Sequence, residues 1–202
     1  MRRRRLRLPL TEAQRRIAAG LQGLATGSVE SAPPDPTTNW AAVAVIVAPD
    51  PDAVLLIRRA ERSGDPWSGH IGLPGGRLDP ADQSLRDTAL RETREEIGWR
   101  LEPGQTLGVL PDVWPRTPLP RLIVVRPFVI AASTRPPLIL SEEVAEAFWV
   151  PLAELRDPAV YRETLIELRG ERRQFPAFHI GRHVVWGLTE RILTPLLDLV
   201  QG

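Results

Sequence analysis

The 202-residue chain has no cysteine and no lysine. Without cysteine there are no disulfides, no thiolate nucleophile and no zinc held by sulfur. Histidine is scarce too: His70, His179 and His183 are the only three and they are scattered. Any metal here should therefore be a hard cation held by oxygen. Arginine supplies all of the positive charge. With the abundant alanine and proline it reads as a coding bias that runs through the whole chain, although its planar fork also suits phosphate. A dominant charge of one sign is missing as well. The formal net charge is +1, so bulk electrostatics gives no case for nucleic acid as a partner. No apolar run approaches the roughly 20 residues that a membrane span needs, and no membrane partner is expected.

What is present suits a folded domain: 43% of residues are hydrophobic and 25% charged, which excludes wholesale disorder. The length fits one large domain. The start, Met1 to Arg7, carries the charge of a signal peptide, but Pro9 and the polar residues from Thr11 interrupt any apolar stretch. A basic tail leading into a short helix is expected, an organelle transit peptide stays open, and the expected location is cytoplasmic.

Periodicity and punctuation divide the chain. Residues 11–23 read as an amphipathic helix, with Ile17, Leu21 and Leu24 on one side. Residues 27–38, rich in Ser, Pro, Thr and Asp, read as a linker. The expected division is thus a basic N-terminal segment over 1–38 and a domain over 39–202. Trp40 to Val47 and Ala53 to Arg59 are strands of a hairpin turning at Pro49-Asp50-Pro51-Asp52. A glycine-rich loop, Ser68 to Gly76, precedes a helix from Ser84 to Ile97 that Ser84 can cap and Gly98 can stop. Strands follow at 106–110 and 122–132, with a proline-rich loop between them. Glu143 to Val150 leads into a short helix start at 151–155. Further strands are expected at 164–168 and 174–180, with Gly181-Arg182 turning into His183 to Val185. The last helix spans 186–199, kinked or ended by Pro195. One helix between the early and late strands does not make a regular βαβ alternation, so the fold class is an α/β (α+β) sandwich.

Glu92, Glu95 and Glu96 stand at i, i+3 and i+4 and share one helix face. Three carboxylates there repel one another, and a divalent cation such as Mg²⁺ or Mn²⁺ turns that repulsion into binding. A solvated face balanced by Arg91 and Arg94 is the plain alternative. Position favours the metal, because Leu73-Pro74-Gly75-Gly76 enters the helix and its backbone can approach a ligand without side chains in the way.

The run Gly75-Gly76, Asp82, then Arg91-Glu92-Thr93-Arg94-Glu95-Glu96-Ile97-Gly98-Trp99 resembles the signature box of the Nudix hydrolases. Asp82 stands where that motif has Glu, the gap from Asp82 to Arg91 is one residue longer, and Thr93 replaces an apolar residue. The longer gap and the aspartate pair Asp79 and Asp82 are similar to the coenzyme A diphosphatases. So are Leu55 to Ala60, Gly69 with Leu73 to Gly76, Thr88 to Glu92, Glu143-Val144 with Val150-Pro151-Leu152, and Trp186 to Thr189. In the segment thought to recognise the coenzyme, Gly64 to Trp67 looks like a one-residue expansion and His70 stands where Gln or Glu is usual.

The resemblance implies a Nudix-type α/β/α sandwich with a mixed β-sheet and a loop-helix-loop. It also implies hydrolysis of a diphosphate bond with Mg²⁺ or Mn²⁺ held by Glu92, Glu95, Glu96 and a Gly76 carbonyl. Arg91 would orient the glutamates. Arg58 or Arg59, with Gly75 and Gly76, would meet the substrate, a small nucleotide. Glu142, Glu143 and Glu146 are candidates for a further carboxylate acting as base. Trp67 and Trp114 could stack on a base or form an apolar contact, Trp149 and Trp186 suit a core, His70 suits a structural loop role, and Asp79 and Asp82 suit turn shaping and helix capping. Coenzyme A or its thioesters is the leading substrate. ADP-ribose, NADH, a dinucleoside polyphosphate or a nucleoside triphosphate, and a non-catalytic binding module, are the alternatives. A homodimer stays open.

Overall fold

The structure, a computed structural model, describes residues 9–24, 38–64, 67–116, 123–168 and 170–201. The basic start, most of the linker expected at 27–38, and Leu122 lie outside the described residues. Helix α1 covers Glu12–Gly23 and is opened by a reciprocal cap in which the Thr11 side chain accepts from Gln14 N–H and Gln14 returns a bond to Thr11 N–H.

Strands β1 (Asn39–Ala48) and β2 (Ala53–Arg59) form the expected hairpin, with Val47 opposite Val54. The glycine-rich loop contains two short strands, β3 (Ile71–Gly72) and β4 (Gly75–Arg77). Helix α2 covers Leu85–Ile97. Strands β5 (Thr106–Val109), β6 (Ile123–Ala131) and β7 (Val144–Pro151) complete a seven-stranded sheet. Its order is β3-β2-β1-β6-β5, with β4 also on β1 and β7 also on β2. β1 and β6 run parallel and the other pairs antiparallel, which makes the sheet mixed. A short helix, α3 (Leu152–Leu155), leads to a separate antiparallel sheet of β8 (Tyr161–Leu168), β9 (Glu171–Ile180) and β10 (His183–Trp186), and α4 (Leu188–Gln201) closes the described chain.

Alternation along β1 explains the layers, because successive side chains point to opposite faces. Trp40, Ala42, Ala44, Ile46 and Ala48 pack with Leu85, Ala89 and Ile97 of α2. Ala41, Val45 and Val47 pack with Ile17 and Leu21 of α1, with α4, and with Phe178, Ile180 and Val185 of the second sheet. Both faces are covered, so β1 is apolar from Trp40 to Ala48, and the result is an α/β/α sandwich. The division drawn at 38/39 remains a reading of the sequence. α1, on its N-terminal side, is built into the same core: Ile17 is fully buried, and buried Gln14 donates from Nε2 to the Val47 and Ala132 carbonyls, each at 2.9 Å.

Two expectations change at the C-terminal end. Trp186 is paired with Ala177 in β10, and Gly187 turns the chain at φ 70°, so the helix starts at Leu188. Pro195 lies inside α4 and does not end it. The helix runs past it because Ile192, Leu193, Leu196, Leu197 and Val200 are buried against the core. Trp149 and Trp186 are half-buried, so they are not full core residues. Trp149 meets Trp99 edge-on at 6.2 Å, and Trp186 lies between His70 and Phe175.

Candidate active site

α2 begins where Ser84 Oγ accepts from Asp87 N–H and ends where Gly98 takes a left-handed conformation that gives its N–H to the Arg94 carbonyl. Leu85, Ala89, Thr93, Glu96 and Ile97 face inward. Thr93, in place of an apolar residue, is tolerated in full burial because its hydroxyl donates to the Ala89 carbonyl at 2.7 Å. Thus Glu96 sits against the sheet, Glu92 at its margin and Glu95 toward solvent.

The glycine turn meets these carboxylates directly. Gly75 N–H donates to Glu96 Oε2 at 2.9 Å. Gly75 has φ 154°, and a Cβ there would lie 2.3 Å from the Ala42 carbonyl oxygen. A Cβ on Gly76 would lie 2.4 Å from the Glu92 carboxyl. Close approach of backbone therefore requires glycine at 75, while at 76 the absent Cβ leaves room for the Glu92 carboxyl. Burial pushes the Glu96 carboxyl up to about 8; the Gly75 bond and Arg59 oppose the rise, while the charges of Glu92 and Glu143 add to it. Glu92 is raised as well, first by burial, against the pull of Arg91.

Arg91 organises the cluster. Its Nε and Nη2 grip the Asp82 carboxylate, and its Nη1 donates to Glu92 at 2.8 Å and to Glu95 at 2.9 Å. The bond to Asp82 leads in raising the Arg91 guanidinium above its ordinary range. Burial alone would raise Asp82, but the bonds from Arg91, Asp79 N–H and Thr88 outweigh it and hold Asp82 low. Asp79 and Asp82 shape the turn through bonds at Ala81 N–H and Asp79 N–H. Neither caps the helix, because Ser84 holds that position and Asp82 instead ties the turn to Thr88 and Arg91.

A cleft of about 410 Å³ opens here, lined by Glu92, Glu95, Glu96, Ser141 and Glu143. The last two arrive on the segment before β7, which bonds the C-terminal end of α2 through Ile139 N–H to Ile97 and Ser141 N–H to Glu96. Arg62 Nη1 holds Glu143 at 2.9 Å. Of the three later acids, only Glu143 lines the cleft. Glu146 turns to Arg58, Arg182 and His183, and Glu142 is exposed. A bulge between Arg58 and Arg59 separates the two arginines. Arg58 reaches Glu146 at 3.5 Å, while the charge of Arg59 acts on Glu96.

His70 packs against the Trp186 ring at 5.0 Å, and its carbonyl accepts from Arg59 N–H, a structural role. Trp67 packs against the core on the α4 side, and Trp114 is half exposed. Ser141 and the Arg62–Glu143 pair were not legible in the sequence. The signals for Glu143 were the acidic turn Glu142-Glu143 before a strand and the resemblance carried by Glu143-Val144, and neither pointed to Ser141 or to Arg62.

The donors suit a hard divalent cation: carboxylate oxygens of like charge, raised by burial, beside a glycine turn that leaves room for a ligand. Among the described residues no three acidic or imidazole groups already stand in a ready-made cation cage. Arg91 takes one oxygen of each carboxylate, Glu92 Oε1 and Glu95 Oε2.

Residues 38–168 match the NUDIX domain model. The chain belongs to the Nudix family. Its Nudix core is 37% identical over 152 residues to the human mitochondrial coenzyme A diphosphatase NUDT8, a match covering 73% of this chain and 63% of that protein. It is 30% identical over 179 residues to a Nudix hydrolase NudL of Photorhabdus laumondii, covering 84% of this chain and 91% of the relative. A MutT/nudix family protein from Enterococcus faecalis has the same fold, with TM-score 0.51 and 17% identity over 95% of this chain and 80% of that one. Nudix hydrolases generally use divalent ions such as Mg²⁺ or Mn²⁺. Among the described residues no helix is long and apolar enough to cross a membrane.

Proposed function

We propose that this Nudix protein hydrolyses the diphosphate bond of coenzyme A or its thioesters, giving 4′-phosphopantetheine and adenosine 3′,5′-bisphosphate. The observation that carries the chemistry is the packing of Glu92 and Glu96 on the Gly75-Gly76 turn. The choice of coenzyme A is supported by the likeness to the human enzyme. A cytoplasmic location belongs to the same proposal, with no nucleic acid as partner and a homodimer left open; the human relative is mitochondrial by its name.

Glu92, Glu95, Glu96 and the Gly76 carbonyl would hold Mg²⁺ or Mn²⁺, which supplies neutralised phosphate charge and acidified water when bound. The remaining work falls to the chain. Arg91, anchored on Asp82, sets the positions of Glu92 and Glu95. Glu143, held by Arg62 and lining the same cleft, takes the proton from the attacking water. Arg59, whose charge acts on Glu96, would face substrate phosphate, while Arg58 stays with Glu146. Gly75 and Gly76 keep the backbone open to the diphosphate.

The test is turnover of a panel of coenzyme A, ADP-ribose, NADH, a diadenosine polyphosphate and nucleoside triphosphates with Mg²⁺ and with Mn²⁺. Coenzyme A should give the highest kcat/KM. Good ADP-ribose turnover with none of coenzyme A rejects the substrate assignment and leaves the diphosphatase chemistry.

A further inference from the structure

One aromatic and cationic group takes no part in the chemistry above. Trp114 lies in the loop after β5 with 49% of its surface exposed. The Arg191 guanidinium, from the first turns of α4, stands 5.9 Å from the centre of its ring. Arg191 Nη1 also donates to the Trp114 carbonyl at 2.6 Å, so the pair is held in place by backbone as well as ring. Arg116 is exposed two residues further on, and its charge repels that of Arg191. The acid beside Arg191, Glu190, is buried and holds the Tyr161 and Thr194 hydroxyls at 2.7 and 3.0 Å.

Two tethers connect this group to the glycine turn. Val113 exchanges backbone bonds with Val125 of β6, Val125 pairs with Ala41 of β1, and Ala41 pairs with Arg77 of β4. Those three lateral steps amount to roughly 14 Å. From the other side, Thr189 of α4 donates to the Ile71 carbonyl of β3, and the chain runs from there through Leu73-Pro74 into Gly75. An extended nucleotide with its diphosphate at Gly76 reaches across such a distance with its base.

We infer that Trp114, Arg191 and Arg116 form the seat for the nucleobase end of the substrate, the indole stacking on the base and the two guanidiniums holding a phosphate on the attached ribose. This rests on the proposed nucleotide diphosphatase reading. Stacking on an exposed aromatic tolerates any base, the Arg191 cation over the indole helps to hold that ring in place, and arginine meets phosphate with paired bonds. The seat is pre-formed, which lowers the ordering cost of binding. An anion also relieves the repulsion between the two arginines.

The test is calorimetric binding of adenosine 3′,5′-bisphosphate and of AMP to the full chain, without divalent ion or turnover. It compares the wild type with Trp114→Leu, Trp114→Phe and Arg116→Gln. Loss of one stacked aromatic should weaken both nucleotides by about 10-fold or more in Trp114→Leu, with Trp114→Phe recovering most of it. Arg116→Gln should weaken the bisphosphate several-fold more than AMP. In turnover, Trp114→Leu should raise KM and leave kcat nearly unchanged. Wild-type affinity in Trp114→Leu overturns the seat even if coenzyme A is hydrolysed, as does a wild type that binds neither nucleotide. A change of oligomeric state in Trp114→Leu with unchanged nucleotide affinity overturns it in favour of a contact between copies. AMP binding that depends on Trp114, in a protein that hydrolyses ADP-ribose and not coenzyme A, upholds the seat and rejects only the coenzyme reading.

Discussion

Arg91 holds Asp82 in a two-pronged grip, Nε to Oδ1 at 3.0 Å and Nη2 to Oδ2 at 2.9 Å, across the turn that leads into α2. The same guanidinium then reaches Glu92 and Glu95. Asp82 is 6% exposed and Arg91 30%, so each is costly to leave unpaired. We expect Asp82→Ala to lose about 2–4 kcal/mol of stability in urea unfolding and to lower kcat by letting Arg91 swing. Arg91→Lys should recover little of what Arg91→Ala loses, because an ammonium cannot hold the paired geometry. Full activity in Arg91→Lys would mean that the grip is incidental.

Buried Glu96 gives a pH dependence whose sign is fixed. Its carboxyl is raised from 4.5 to about 8 by burial first, so the fold favours the neutral acid. The stability from that preference is fully present below pH 4.5 and is lost as pH rises toward 8. For the metal-free protein the loss should be on the order of a few kcal/mol. Glu96→Gln keeps an acceptor for Gly75 N–H and should flatten that limb of the profile. Added Mg²⁺ should stabilise the wild type most at the alkaline end, since it binds the charged form. A thermal midpoint independent of pH between 5 and 8.5 in both proteins would contradict the burial argument.

The two adjacent glycines should fail in different ways. Alanine at Gly75 strikes the Ala42 and Val43 backbone and must hold a φ of 154°, so folding should suffer by more than about 2 kcal/mol. Alanine at Gly76 meets only the end of the Glu92 side chain, which can swing away. Gly76→Ala should therefore keep its thermal midpoint and lose most of its kcat. Thermal melts beside steady-state rates separate the two. A folded and active Gly75→Ala would show that the close approach is not required.

α1 should be indispensable to the domain although it lies before the family match. Gln14→Leu leaves the Val47 and Ala132 carbonyls without their side-chain donor and should cost about 1–3 kcal/mol. A protein limited to residues 39–202 also uncovers the face of α4 and the sheet that Ile17 and Leu21 bury. It should unfold at a markedly lower urea concentration than the full chain. Equal midpoints would uphold the division at 38/39 as a true domain boundary.

The architecture was legible where local chemistry acts alone. Ser84 and Gly98 mark the ends of α2, and Gly181-Arg182 marks the last hairpin. The run Trp40 to Val47 read as a buried strand, while the α/β/α layering was implied by the family resemblance. The early end at Pro195, one of the two alternatives beside a kink, does not occur, because a missing backbone donor is a local cost whereas five buried side chains of α4 are a tertiary gain. The site divided in the same way. The face shared by Glu92, Glu95 and Glu96 needs only helical spacing, and the glycine turn needs only adjacency. The bond from Gly75 to Glu96, the choice of Glu143 over its neighbours, and the Arg62 partner each depend on elements 21 to 81 residues apart meeting. Arg58 and Arg59 showed that alternation would separate them, but only the bulge and the partners Glu146 and Glu96 told which was which.

The most direct measurement is coenzyme A hydrolysis, with saturating Mg²⁺ or Mn²⁺, by the wild type, Glu92→Gln and Glu96→Gln, each first shown to be folded. The wild type should release 4′-phosphopantetheine and adenosine 3′,5′-bisphosphate, and each variant should lose at least about 100-fold in kcat, the scale of removing one general acid–base or charge-stabilising group. Hydrolysis that survives both substitutions, or that continues at full rate in a chelator, would contradict the assignment of these glutamates to a metal-assisted diphosphatase.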